Sequence, residues 1–294
     1  MERLTKLFSS DFPDPSALYH DGYMYLFGSR AWNGEGKNIQ VRRATSWTGT
    51  WENLGCAITE KASWGKDSTE FWCPDVPRKV GATFRLYYAT NPDSVKGMAI
   101  AMAQSSLPYK FVPAPQFLMS GDGYSVVDPF ALHYKGEEWL FWGSHHEPIR
   151  CRKLDPCGYK FAKHSKERII LHPSRRKHER LLEGFFLFYQ QSNKTWYAFV
   201  SGSDTWDKES YAVTTFKSSS PFGPFSRVGL LIQPSETWYA PGQNSVVTVD
   251  GTHYFVCHAA HADNPYLEGT KRLKRVPCVA KLRIEHDVPV LLPL

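Results

Sequence analysis

Several things are missing from this sequence, and each absence removes a class of function. The six cysteines, Cys56, Cys73, Cys151, Cys157, Cys257 and Cys278, form no Cys-x-x-Cys pair and no zinc-ligand spacing, which argues against a zinc site. No apolar run is long enough to cross a bilayer as a helix. Met1–Phe8 lacks the apolar core of a secretory leader. The expectation is a cytoplasmic protein with free thiols, a secreted chain trimmed of its leader being the alternative. The net charge is +6, and much of the excess lies in Lys163–Arg180 and Lys271–Arg275. No nucleic-acid motif accompanies these runs, so they read as solvated loops, with no nucleic-acid or membrane partner expected. His145-His146-Glu147 lacks the helical His-Glu-x-x-His spacing of a metal centre. It reads as a pocket rim or loop.

What is present is a repeated phrase. Residues 12–29 place Asp14 at the start of a short strand, then an Asp21-Gly22 turn, then the aromatic-rich run Tyr23-Met-Tyr-Leu-Phe. Asp-Gly between two such runs is a hairpin signal. The phrase returns from Asp128 through Gly136 to Ser144, with the same offset of eight residues between acid and glycine (22 − 14 and 136 − 128). Five segments carry it in all: Ser16–Ser29, Val76–Thr90, Phe130–Ser144, Phe185–Gly202 and Ser245–Ala259. Their turns centre on Gly22, Gly81, Gly136, Asn193 and Gly251, at intervals of 59, 55, 57 and 58 residues.

A strand-built period of this size points to a propeller. A third strand follows each pair, at 39–44, 98–104, 149–153, 211–216 and 276–282. Shorter fourth strands are expected at 50–54, 109–112, 159–162 and 224–228. The fold class is therefore all-β: a five-bladed β-propeller of four-stranded antiparallel blades around a central channel. The five units occupy 1–294 as one domain. Either 4–8 or 288–294 completes the last blade.

In a propeller the first strand of each blade lines the channel, so the starts of those strands converge at one mouth. Eight residues before the turn glycine stand Asp14, Cys73, Asp128 and Gln243. The fourth turn reads as two residues longer, which makes Glu183, ten before Asn193, the expected counterpart. Three carboxylates from three blades thus meet on the axis. Like charges and desolvation push at least one pKa up, giving the protonated acid and ionised base that glycosidic hydrolysis requires. The alternative is that these acids hold backbone amides and tie blades together.

The blade starts Pro13-Asp14-Pro-Ser, Val127-Asp128-Pro-Phe and Leu182-Glu183-Gly, with Phe71-Trp-Cys-Pro-Asp75-Val, Ser220-Pro-Phe-Gly-Pro-Phe and Gly242-Gln-Asn-Ser-Val-Val, resemble those of glycoside hydrolase family 43. That family comprises five-bladed inverting enzymes, among them β-xylosidases, α-L-arabinofuranosidases and arabinanases. The resemblance covers almost the whole chain through order and spacing. It implies Asp14 as general base, Glu183 as general acid and Asp128 as the residue that tunes and orients the acid. It further implies removal of terminal pentose, β-D-xylose or α-L-arabinofuranose, from short xylan- or arabinan-derived oligosaccharides, with no cofactor required.

Trp72, Gln243, Asn244, His258 and Arg275 are the candidate substrate-binding residues. Trp72 is a wall of the sugar pocket or a core residue. Arg275 resembles a family arginine that binds sugar hydroxyls, with Arg272 competing for that register. Many members read Gly-His-Asn-Ser where this chain has Gly242-Gln243-Asn244-Ser245. The missing histidine puts an axial calcium in doubt and leaves His258, on a second strand, as the candidate ligand for a metal or a water. Asp75 reads as structural. Loops at 31–37, 62–69 and 205–209 are expected to shape the pocket.

Two other functions fit the same architecture. An invertase-like retaining enzyme expects Asn-Asp-Pro-Asn-Gly, Arg-Asp-Pro and Glu-Cys, where this chain has Pro-Asp-Pro-Ser, Val-Asp-Pro and Glu-Gly. A non-catalytic sugar- or protein-binding propeller would keep the fold without the chemistry.

Overall fold

The computed structural model describes residues 3–32, 38–143, 145–203 and 209–294. Five antiparallel sheets follow one another along the chain as the blades of a propeller, and no helix occurs among the described residues. Blade one runs Ser16–His20, Tyr23–Gly28, Gln40–Ala44 and Glu52–Cys56. Blade three runs Phe130–Tyr134, Glu137–Trp142, Ile149–Lys153 and Arg168–Leu171. Blade four runs Glu183–Gln190, Thr195–Gly202, Ala212–Ser218 and Ser226–Ile232.

Blade two departs from this scheme. Its inner strand is broken into Phe71–Trp72 and Arg78–Val80, both paired to Thr83–Thr90. Its outer edge is split between Val112–Pro113 and Met119–Ser120 on Ala99–Ser105. Blade five has long strands, Trp238–Val249, Thr252–His261 and Val276–Glu285. Both chain ends complete it: Thr5–Lys6 pairs with Cys278–Val279 and Val288–Leu292 with 281–285 of the same strand. The N-terminal and C-terminal candidates for the last strand are thus both used, and the ring is closed by pairing its two ends in one sheet.

The predicted outer strand at 159–162 is corrected. Phe161 makes only an isolated bridge to Leu154, and the fourth strand of blade three lies at Arg168–Leu171. Arg168-Ile-Ile-Leu171 carries the β-branched pair that suits a strand, whereas Asp155–Ser165 turns back on itself through backbone bonds such as Gly158 N–H to Asp155 O.

The core lies between blades. Phe27, Ile39 and Phe71 bury the contact of blades one and two, Tyr87, Ala131 and Trp142 that of two and three. Phe12, Val247 and Val279 close five onto one. Second strands are therefore buried on both faces: Met24–Gly28 and Trp196–Gly202 are buried throughout, without alternation. Outer strands such as Glu52–Cys56 are half-exposed and carry surface ion pairs like Arg43 with Glu52.

The hairpins follow local backbone chemistry. Asp21-Gly22, Lys135-Gly136 and Asp250-Gly251 all have positive φ at both residues, the geometry of a type I′ turn. At the other end of each inner strand the chain repeats a second feature. Asp14, Cys73, Asp128 and Gln243 have φ of 56°, 49°, 53° and 46°, in the left-handed region that side chains other than glycine seldom occupy. The counterpart in blade four is Gly184, at 58°. Such conformations persist only where the surroundings over-determine them, and they gather at functional sites.

Candidate active site

The repeated left-handed residue reveals a shift of register. The fourth hairpin loop is indeed two residues longer, spanning 191–194 between Gln190 and Thr195. Its last residue, Lys194, matches the turn glycines. Counting ten back gives Gly184, so Glu183 stands one position earlier than Asp14 and Asp128, in the place of Pro13, Trp72, Val127 and Gly242. The longer glutamate side chain still reaches the channel. Gly184 leaves room behind it, since a Cβ there would push the end of the Gln243 side chain out of its place.

Adjacent blades clasp these starts in sequence. The amide of Asp14 donates to His258 Nδ1 at 3.0 Å, that of Cys73 to Ser29 Oγ at 2.7 Å, that of Gly184 to Asp128 Oδ2 at 2.8 Å, and that of Gln243 to Ser201 Oγ at 2.8 Å. Ser29, Ser201 and His258 occupy the same place at the end of their second strands, each opposite the residue before a blade start. The left-handed backbone is thus held by side chains from the neighbouring blade.

Asp14, Asp128 and Glu183 line one cavity of about 710 Å³ at the channel mouth. All five blades contribute to its wall, with Trp32, Trp72, His145, Tyr211 and Arg275 among the residues that close it round. That volume suits a small saccharide.

Asp14 is buried and surrounded by donors. Its Oδ2 accepts the Ser29 hydroxyl at 2.5 Å, and its Oδ1 pairs with the Arg275 guanidinium at 3.2 Å. Burial alone would raise its pKa; the Arg275 guanidinium, then the Ser29 hydroxyl, outweigh that and hold it well below the usual carboxylate range. Across the cavity the balance is reversed. Burial, then the neighbouring Glu183 carboxyl, pushes Asp128 well above its ordinary value. Two carboxyl groups placed against each other oppose each other's ionisation, so the pair holds a proton more tightly than an isolated acid would. Tyr211 donates its hydroxyl to Glu183 Oε1 at 2.6 Å. Gly242 permits this, since a Cβ there would overlap the Tyr211 ring.

His258 is 3% exposed and lines the cavity. Because Nδ1 accepts the Asp14 amide, a neutral ring keeps its hydrogen on Nε2, and burial lowers its pKa in the same sense. The axial donors do not match a calcium shell of six to eight oxygens. Asp14 already serves Arg275 and Ser29, Glu183 serves Tyr211, and the blade-five start offers Gln243. Among the described residues no group of three or more His, Cys, Asp or Glu side chains is arranged to hold a metal.

Trp72 has a double placement. It packs on Ala89, Met98 and Val127, lines the cavity, and stacks on Tyr124 at 5.7 Å with its Nε1 on Glu70. Gln243 and Arg275 also face the cavity. Asn244 does not: it lines a second cavity of about 20 Å³ below the floor, and its amide oxygen and nitrogen find no protein partner among the described residues. Such a space holds a single water. Asp75 is structural, its two oxygens taking the amides of Val76 and of Ala131 in blade three, each at 2.7 Å.

His145 forms part of the rim, stacked on Tyr124 at 5.3 Å, while His146 contacts the Arg180 carbonyl and Glu147 pairs with Arg150. Arg272 lies over the Trp32 ring at 3.9 Å. Of the three predicted pocket loops, 31–37 brings Trp32 to the cavity, and 62–69 lines no part of it because its amides are tied back to Asn91 and Asp93, while 33–37 and 205–208 lie outside the described residues.

The family model described as Glycosyl hydrolases family 43 matches residues 7–289. The chain belongs to glycosyl hydrolase family 43. It is therefore a glycosidase by family, and a cavity with one carboxylate held ionised opposite a pair whose ionisation is opposed suits the acid–base chemistry of that class.

Solved structures share the architecture. The α-L-arabinanase of Cellvibrio cellulosa, complexed with arabinohexaose, is 18% identical over 97% of this chain and 96% of that one, with a TM-score of 0.80. Bacillus subtilis arabinanase Arb43A is 20% identical over 97% and 100%, at 0.76. A family 43 β-xylosidase/α-arabinofuranosidase from a compost microbial metagenome, in complex with xylotriose and in a calcium-free form, is 19% identical over 100% and 97%, at 0.73. At these identities the likeness speaks to fold. No curated protein sequence matches the chain.

Tyr211, Ser29 and Asp11 were not foreseen from the sequence, whereas Trp32 belongs to the 31–37 loop expected at the pocket. Asp11 is buried and accepts the amides of Trp32 and Arg275, anchoring the loops that bring both to the cavity. A signal existed for Ser29, the last residue of the repeated hairpin phrase. None marks Tyr211, which is one tyrosine among 15.

Proposed function

We propose that this family 43 glycosidase releases terminal pentose, β-D-xylose or α-L-arabinofuranose, from short plant cell-wall oligosaccharides with inversion of configuration. The observation that carries this reading is the asymmetry of the three carboxylates around one cavity: Asp14 among donors, Asp128 and Glu183 against each other.

In the proposed reaction a water attacks the anomeric carbon and gives a proton to Asp14, which its donors keep ionised. Glu183 gives its proton to the glycosidic oxygen as the carbon–oxygen bond breaks. Asp128, beside Glu183, orients it and retains the negative charge of the pair. Arg275, Gln243, Trp72 and His258 Nε2–H contact the sugar, while Asn244 supports the floor. Two solved relatives carry arabinohexaose and xylotriose, which supports a pentose. A wall drawn from all five blades supports binding at a chain end.

The test is a panel of aryl xylosides, arabinofuranosides and galactosides with the first-formed anomer read by proton resonance. Inverted pentose is expected. Retained configuration would move the protein to the invertase-like class, and no turnover of any glycoside would leave a binding propeller.

A further inference from the structure

The charge of the cavity wall changes with depth. Its buried floor carries Asp14, Asp128 and Glu183. Toward the mouth the described lining is cationic: Arg30, Lys96, Lys271 and Arg272 stand against one carboxylate, Glu70. Glu70 is taken by Arg30 at 3.4 Å and by the Trp72 Nε1–H at 2.8 Å. Lys96, Lys271 and Arg272 are exposed, and among the described residues none of the three has a carboxylate partner. Part of the basic run that reads as a solvated loop in the sequence, Lys271–Arg275, is thus turned to the cavity.

The backbone that carries these cations is pinned. A Cβ on Gly97 would meet the Gly121 carbonyl oxygen at 2.1 Å, so the two segments touch backbone to backbone and fix where Lys96 leaves the chain. The blade-five loop is closed by Leu267 N–H to Arg272 O at 2.9 Å and by Arg272 N–H to Thr270 Oγ1 at 3.1 Å. The Arg272 guanidinium lies over the Trp32 ring at 3.9 Å, and Trp32 stands 6.5 Å from Trp72. A guanidinium held over an indole is positioned by its charge, and its N–H donors remain for a planar carboxylate.

We propose that the mouth of the cavity is a leaving-group subsite for a uronic acid, its carboxylate drawn to Arg272, Lys271 and Lys96 with Trp32 as the apolar surface beside it. The inference rests on the reading of the floor as the place of a terminal pentose, and it names the unit to which that pentose is attached. Depth sets the order of the two sugars. The carboxyl groups of the floor repel an anionic sugar, so the end unit is neutral, while the cations of the mouth attract one, so the next unit is acidic. Exposed ion pairs are individually modest, each contributing up to about fivefold at low salt, and they are screened as salt rises.

The experiment uses 4-carboxyphenyl and 4-carbamoylphenyl glycosides of the preferred pentose, alike in size and unlike in charge. The readout is the ratio of their kcat/KM values within each variant. A general loss of activity or folded protein cancels in that ratio, and comparison between variants cancels the difference in leaving ability. Arg272→Gln is expected to lower the ratio about threefold, Lys96→Gln and Lys271→Gln about twofold each, and the three together about tenfold. In the parent the ratio should fall by a similar factor between roughly 0.02 and 0.5 M salt. Glucuronate should inhibit hydrolysis of the carbamoyl substrate at about tenfold lower concentration than glucose. A ratio indifferent to the substitutions or to salt overturns the inference and leaves the pentose reading standing, as does glucuronate no stronger than glucose. No turnover of either pentoside takes the reading and the inference down together.

Discussion

The two walls of the cavity treat a buried carboxylate in opposite ways. On the side of blades one and five, Asp14 has a guanidinium and a hydroxyl on its carboxylate, and the cost of burial is more than offset. On the side of blades three and four, Asp128 has a second carboxyl for a neighbour, and burial and repulsion act together. The same residue type, at the same backbone position and the same left-handed φ, thus ends as a strong acid in one blade and a weak one in another. Backbone geometry delivers an acid to the axis. What the adjoining blade places against it sets its protonation.

The sharpest way to break the contrast is to remove one acid from each wall. Glu183→Gln is expected to reduce kcat/KM about 10³-fold on phenyl glycosides and much less on dinitrophenyl glycosides. Asp14→Asn should lose a similar factor on both, because the attacking water needs its base whatever the leaving group. Equal sensitivity of the two variants to leaving group would erase the division of labour. Both effects are read from steady-state kinetics on the two substrates.

Next in size is the guanidinium that distinguishes the walls. Arg275→Met removes the cation paired with Asp14. Burial then dominates, the Asp14 pKa rises by about one to three units, and the acid limb of the kcat/KM profile moves up by that amount. The base works ionised, so activity is lost first at low pH and least near neutrality. An unmoved acid limb would show that Arg275 does not set the ionisation of Asp14.

A smaller change is expected on the opposite wall. Tyr211→Phe deletes the hydroxyl that Glu183 accepts. A donor favours the carboxylate form, so its loss makes Glu183 hold its proton more tightly and moves the alkaline limb up. The expected cost on the phenyl glycoside is a few-fold, in keeping with one hydrogen bond to a carboxyl group.

Asp75 touches neither wall and serves as the control. Burial raises it to about 6, against about 3.9 in an unfolded chain. The folded form therefore binds its proton more tightly, and this contribution to stability is complete below pH 4 and lost as pH rises through 6. Asp75→Asn should remove a loss of about 3 kcal/mol across that window, seen by urea unfolding at pH 4 and 7, and leave the shape of the activity profile unchanged.

Much of the architecture was legible because it depends on local backbone chemistry. Asp21-Gly22 and Asp250-Gly251 form the turns expected of them, and counting back from the glycines finds Asp14, Cys73, Asp128 and Gln243 at one shared conformation. The counting failed by one at blade four, where no glycine marks the end of the loop and Lys194 holds the left-handed position instead. It failed again at 159–162, where an aromatic pattern resembles a strand but the chain folds back before reaching the edge of the sheet. Asn244 was placed beside Gln243 by sequence adjacency, yet consecutive residues of a strand face opposite ways, and it points beneath the floor.

The amino-acid sequence, taken alone, determined five hairpin units, their period and the acids at their starts, since turns and strand alternation are properties of neighbouring residues. Only the tertiary structure decided which acid is ionised. The guanidinium that settles it for Asp14, that of Arg275, lies 261 positions away along the chain, and electrostatic work depends on distances through space that no spacing in the sequence records.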